Sequence, residues 1–81
     1  MQARETARFR RSYQSAPRTI QEAFDKQVRY LVENLRHPSL RAKKYDAVRG
    51  IWQARVTGSW RFYFLIKGDS YILLDIMKHP K

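Results

Sequence analysis

Apolar residues recur at two different periods along this chain, and the change falls near Pro38. Before it, Phe9 and Tyr13 stand four apart, and Ile20, Phe24, Val28, Leu31 and Leu35 follow at intervals of three and four. That spacing places each set on one face of an α-helix. Thr6 suits the N-cap of a short helix running to about Ser15, and Pro17 suits the first position of a second helix. Arg36, His37 and Pro38 end that helix, because the residue before a proline avoids the helical region. The two stripes predict a helical hairpin whose apolar side belongs to a core.

After Pro38 the period becomes two. Trp52, Ala54 and Val56 alternate with Gln53, Arg55 and Thr57; Trp60, Phe62, Phe64 and Ile66 alternate with Arg61, Tyr63, Leu65 and Lys67. Ile72, Leu74 and Ile76 then alternate with Tyr71, Leu73, Asp75, Met77 and His79. Three antiparallel strands follow, joined by three-residue loops at Thr57-Gly58-Ser59 and Gly68-Asp69-Ser70, with a further short strand at Lys43 to Tyr45. The first loop pairs Val56 with Trp60, so Arg55 faces Arg61 and Gln53 faces Tyr63. The second pairs Lys67 with Tyr71, so Tyr63 faces Asp75, Arg61 faces Met77 and Ser59 faces His79. One sheet face then carries Trp52, Phe62, Phe64, Leu74 and Ile76 beneath the helices. The other gathers Gln53, Arg55, Arg61, Tyr63, Asp75 and His79. The expected fold is α+β, an N-terminal helical hairpin packed on one face of a small antiparallel sheet. No repeat, linker or low-complexity tract interrupts it, so residues 1–81 read as a single domain.

Charge changes the picture of the open face. Lysine and arginine outnumber acids by 17 to 7 in 81 residues, a net charge of +10. That imbalance points to an anionic partner: nucleic acid, an acidic protein or an anionic membrane surface. The chain has no cysteine, which removes disulfides and thiolate metal sites. No apolar run approaches the ~20 residues of a membrane-spanning helix, and the polar N-terminus has no signal-peptide core. A cytoplasmic protein with no membrane partner is the expectation.

Arg55 and Arg61, directly opposed, repel each other by less than about 1 kcal/mol in water and roughly 3 kcal/mol at an effective dielectric of 20. On that ground, losing one of them should raise stability slightly. Guanidinium forks match phosphate oxygens bidentately, which makes the pair a candidate phosphate clamp. Tyr63 beside it either stacks on a base or covers the sheet. The segment leading into the sheet adds Arg36, Arg41, Lys43, Lys44 and Arg49 against one acid, Asp46, the footprint expected of nucleic-acid binding. Histidine ordinarily titrates near neutrality, and His79 is the one histidine expected on the open face; His37 reads as a helix-end residue. Two distant histidines and one aspartate do not make a ligand set, so neither a metal nor another cofactor is expected. Metal-free RNA cleavage proceeds by attack of the 2′-hydroxyl on the neighbouring phosphate. It needs a base, cations for the developing charge and an acid for the leaving oxygen.

The stretch "HPSLRAKK", followed by "GIWQARVTGSWRFYFLIKGDSYILLDIMKHP", resembles the RelE/ParE superfamily, the toxins of bacterial toxin–antitoxin pairs. The preceding "FRRSYQSAPRTIQEAFDKQVRYLVENL" resembles the helical hairpin of that superfamily, so the likeness spans nearly the whole chain. Its most specific element is Trp60-Arg61-Phe62, then a Gly-Asp turn, an apolar strand and His79. RelE-like members are endoribonucleases that cut messenger RNA, typically on the ribosome and without a metal; ParE-like members inhibit DNA gyrase. The resemblance implies that Arg61 lies at the scissile phosphate. Arg55 falls where some members place a basic catalytic residue, and His79 where others place a histidine. Lys43 and Lys44 lie in the segment used toward RNA, with Arg41, Arg49, Gln53 and Tyr63 as further contacts. Gln53 stands where some members have lysine, the sequence ends without the aromatic residue many carry after the last strand, and only Met1 to Glu5 precede the first helix for the usual first strand. The resemblance implies an mRNA interferase neutralised by an acidic or partly disordered antitoxin. The alternatives are a non-enzymatic gyrase inhibitor of the ParE kind and a basic nucleic-acid-binding module. His79 separates the first from the second, since a pure binder has no need of a titratable group beside the clamp.

Overall fold

The computed structural model describes residues 1–79. Its element order is β1 (Gln2–Glu5), α1 (Ala7–Ser15), α2 (Arg18–Glu33), a 3-10 turn (Pro38–Leu40), β2 (Lys43–Asp46), β3 (Ile51–Arg55), β4 (Trp60–Lys67) and β5 (Ser70–Lys78). Thr6 fixes the start of α1 in two directions. Its Oγ1 accepts from the Phe9 backbone N–H at 3.1 Å and donates to the Leu73 carbonyl at 2.9 Å. The cap therefore also anchors the helix to β5. Pro17 sits one residue before α2 and not at its first position, while α2 stops at Glu33, leaving Leu35 beyond the helix.

The five strands run β1, β5, β4, β3, β2 across one sheet. β1 pairs parallel with β5, and every other pairing is antiparallel. The sheet is mixed, then, and the purely antiparallel expectation is corrected. Four residues are too few to display a period of two, whereas a parallel neighbour needs only the long crossover that the helical hairpin begins.

The hairpin packs on one sheet face. An aromatic relay runs from Phe9 to Phe24 and on to Phe62, with ring centroids 5.0 Å apart at both steps, and then to Phe64 at 5.6 Å. Phe9, Phe62, Phe64, Leu31, Leu40 and Leu73 are wholly enclosed. Val28, expected in the buried stripe, is half-buried, and the polar Gln27 takes the buried place beside it. Gln27 Nε2 donates to the carbonyls of Ser39 at 2.9 Å and Arg55 at 2.7 Å. Buried amides persist when so paired, and this one ties α2 to the 3-10 turn and to β3.

The β3–β4 register is the expected one: Arg55 opposes Arg61, Gln53 opposes Tyr63 and Trp52 opposes Phe64. The β4–β5 hairpin differs at its tip. Lys67 pairs with Ser70, so the loop is the two residues Gly68 and Asp69, with Gly68 at φ +60°. Glycine first is what a tight two-residue hairpin loop of this hand requires. The register then shifts, since Phe64 pairs with Leu73 while Tyr63 pairs with Asp75, leaving Leu74 as an extra residue. A shorter loop and a one-residue bulge cancel. Arg61 still faces Met77, but Leu74 leaves the core face, where Tyr71 and Leu73 are buried instead.

Candidate nucleic-acid interface

The open face is built from β3, β4 and β5, whose shared register brings the candidate residues to one end of the sheet. His79 is held there by its backbone N–H, which donates to the Ser59 carbonyl at 2.6 Å. That bond closes β5 against the Thr57–Ser59 loop, beside Arg61. The half-buried imidazole has its Nδ1 enclosed without a hydrogen-bond partner among the described residues.

The two arginines share a register and differ in what their side chains bond. Arg61 Nη1 donates to the carbonyls of Thr57 at 2.6 Å, Trp60 at 3.0 Å and Gly58 at 3.3 Å. One end of its guanidinium thus gathers the carbonyls of the hairpin loop. Arg55 ends at the same loop, where a Cβ at Gly58 would lie 3.5 Å from its Nη2. It also lines a cavity together with Lys26, Ser39 and Arg41.

Gln53 and Tyr63 are both buried, and Gln53 Nε2 donates to the Tyr63 hydroxyl at 3.1 Å. Tyr45 packs edge-on against Tyr63 with centroids 5.0 Å apart and is itself 60% exposed. Tyr63 therefore lies under cover, and Tyr45 is the aromatic presented to solvent. Sequence reasoning missed Tyr45 because it occupies the register irregularity of β2, between Lys44 opposite Trp52 and Asp46 opposite Ile51.

Lys43 and Lys44 part company. Lys43 pairs with Gln53 and shares its open face, whereas Lys44 pairs with Trp52 and holds its Nζ 5.2 Å from that ring's centroid. Arg49 is already engaged: its Nε lies 2.7 Å from Asp46 Oδ2, and its backbone N–H reaches Asp46 Oδ1 at 3.2 Å. The hydrogen bond from the Arg49 side chain is the main reason the Asp46 carboxyl sits below the usual carboxylate range. Asp75 is likewise paired, with Arg8 Nε at 3.2 Å, a partner that lies 67 positions away and left no local signal. Beside these groups Tyr45, Ile51, Leu74 and Met77 line a groove of about 520 Å³, with Arg8 and Arg49 also in its wall. Arg41 lies off this face, in a left-handed conformation at φ 46° and ψ 42°. Among the described residues no cluster of three acidic or histidine side chains is placed to hold a metal ion, and no helix is long and apolar enough to cross a membrane.

No protein-family model and no curated protein sequence matches this chain. Solved structures do. A YoeB/ParE toxin from Agrobacterium tumefaciens superposes with a TM-score of 0.81 at 16% identity, covering 99% of this chain and 100% of that one. The RelB–RelE antitoxin–toxin complex from Methanococcus jannaschii gives 0.75 at 16% identity, over 91% of this chain and 87% of that one. The RelBE2 toxin–antitoxin complex from Mycobacterium tuberculosis gives 0.66 at 23% identity, over 98% and 96%. At these TM-scores and near-complete coverage of both chains, the protein has the fold of the RelE/ParE toxins.

Proposed function

We propose that this protein is the toxin of a toxin–antitoxin pair and an endoribonuclease that cuts messenger RNA during translation on the ribosome. The observation that carries this reading is the placement of Arg61 and His79 at one end of the open face by one loop: Arg61 Nη1 bonds the carbonyls of Thr57 and Gly58, and the His79 backbone N–H donates to that of Ser59. RNA cleavage by the 2′-hydroxyl needs a proton acceptor, a proton donor and fixed positive charge at the phosphate. The imidazole of His79 is the group placed to take up or give a proton. At Arg61 the loop carbonyls engage Nη1, which leaves the other guanidinium N–H donors for phosphate oxygens. Arg55 adds charge from the neighbouring strand, and Lys43 extends it along the same face.

The antitoxin is the second partner. Two of the similar structures are toxin–antitoxin complexes, and a net charge of +10 favours an acidic, partly disordered chain that folds onto the basic surface. A non-enzymatic toxin that binds gyrase is the competing reading, favoured by the apolar groove of Tyr45, Ile51, Leu74 and Met77 on the same face.

Mapping new RNA ends after adding the protein to translating and to naked messenger RNA tests the proposal. New ends that disappear with His79→Gln, at 10²- to 10⁴-fold lower rate and with unchanged circular dichroism, support the ribonuclease. No new ends, with gyrase inhibited and His79→Gln still toxic, would establish the competing reading.

A further inference from the structure

The junction of α2, the 3-10 turn and β3 holds a second basic cavity, of about 500 Å³. Lys26, Arg41 and Arg55 line it beside Ser39, and no carboxylate does. The acids nearest on α2 are occupied elsewhere: Asp25 accepts from the Tyr13 hydroxyl at 2.8 Å, and Glu22 lies 3.6 Å from Arg18. Lys26, Arg41 and Arg55 have no ion-pair partner among the described residues. Three cations therefore share a cavity with nothing to neutralise them.

Two features mark the cavity as built. Buried Gln27 donates to the Ser39 and Arg55 carbonyls at 2.9 and 2.7 Å, fixing in place the elements that carry the cations. Arg41 is the only non-glycine residue with positive φ among the described residues. Left-handed backbone disfavours any side chain with a Cβ, so the position would be easier to hold with glycine than with arginine. Strain of this kind is held where the surrounding structure enforces it and clusters at ligand sites.

We propose that this cavity is a phosphate-binding subsite for the phosphodiester backbone of single-stranded RNA. Compact, multi-oxygen anions satisfy several converging cations at once, and guanidinium forks bind phosphate in the bidentate mode. An acidic peptide would need apolar anchors as well, and this wall offers few. Arg55 connects the subsite to the proposed reaction centre, since it pairs with Arg61 in the sheet, holds its Nη2 beside Gly58 and also lines the cavity. A strand whose reacting phosphate lies at Arg61 can thus place a flanking phosphate among Lys26, Arg41 and Arg55. This inference rests on the ribonuclease reading only for the identity of the ligand.

The test uses Lys26→Ala, Arg41→Gly and the double variant, with an uncleavable 2′-O-methyl oligonucleotide whose binding is followed by fluorescence anisotropy across a salt series. Alanine suits a helix interior, and glycine relaxes the left-handed position, so melting temperature should hold or rise. Affinity of the double variant should fall tenfold or more, and the log–log salt slope should flatten by about 0.7 for each phosphate that is no longer neutralised. Inorganic phosphate should shift the backbone amide resonances of Ser39, Arg41 and Arg55 in the unaltered protein. Unchanged affinity and slope in the folded variants would overturn the subsite. So would a glutamate-rich peptide whose binding falls with these substitutions while RNA binding does not. Because the oligonucleotide cannot be cut, the subsite stands or falls on binding; absence of cleavage in messenger RNA counts against the ribonuclease reading alone.

Discussion

Replacing Arg61 and Arg55 by alanine, one at a time, should have unequal consequences for stability. In the sheet they are symmetric, each opposite the other, and removing either relieves the same repulsion of less than about 1 kcal/mol in water. Beyond the sheet they are not symmetric. Arg61 Nη1 faces three carbonyls at 2.6, 3.0 and 3.3 Å. One nitrogen bearing two protons makes two good hydrogen bonds, so the third is shared. Hydrogen bonds to charged groups contribute about 1.5–3 kcal/mol each when buried. Arg61 is half-buried and water can reach the loop carbonyls, which reduces the pair to about 1–2 kcal/mol in total. Subtracting the relieved repulsion leaves Arg61→Ala destabilised by about 1 kcal/mol, a fall in Tm of about 4–8 °C for a domain of this size. Arg55→Ala removes no side-chain hydrogen bond of this kind and should melt at the parent temperature or slightly above. Thermal melts by circular dichroism of both single variants and the double variant decide the matter. If Arg61→Ala melts as high as Arg55→Ala, the loop carbonyls are not held by Arg61. The gain in stability expected from repulsion alone would then apply to both.

Phe64→Ala empties a wholly enclosed site between Trp52, Phe62 and Tyr71 and should cost about 3–5 kcal/mol in urea denaturation, enough to unfold much of the population. Lys43→Ala should flatten the salt slope of RNA binding by about 0.7, whereas Lys44→Ala, on the Trp52 side of the sheet, should leave it unchanged; equal effects would contradict the division of faces. At alkaline pH, Tyr13 and Tyr71 should weaken the fold. Burial, and for Tyr13 also the bond to Asp25, raises both above their ordinary value of 10.0. The native state therefore keeps protons that the unfolded chain has lost. Their contribution is complete below pH 10 and declines as pH rises through the raised values, which denaturation midpoints measured from about pH 9 to 11 should follow.

How much of this was legible depends on whether a segment states its own phase. β3 and β4 do, because Gln53, Arg55, Arg61 and Tyr63 interrupt the apolar positions, and the register between them follows from alternation and one glycine loop. β5 does not. Tyr71, Ile72, Leu73 and Leu74 form an unbroken apolar run that fits either sheet face, so nothing in it marks where the bulge falls. The residues after it recover the phase, with polar Asp75 and His79 on the open face and buried Ile76 between, which is why their partners were correct although the loop and Leu74 were not. β1 carries no period in four residues, and its parallel partner lies at the far end of the chain.

The site was legible to a lesser depth, for a related physical reason. Register fixes which Cα atoms are neighbours, while a guanidinium reports to whatever lies at the end of a long, flexible stem. Opposed arginines settle according to what each charged end finds nearby. Here Arg61 Nη1 gathers the carbonyls of Thr57, Gly58 and Trp60, while Arg55 keeps its Nη2 beside Gly58 and also lines the cavity of α2 and the 3-10 turn. Both guanidiniums therefore stand at the Thr57–Ser59 loop, and the loop carbonyls, not an acidic side chain, face the charge of Arg61. Alternation in the sequence shows that the two Cα atoms are opposed; it does not show that backbone carbonyls of the connecting loop take up part of the charge so placed.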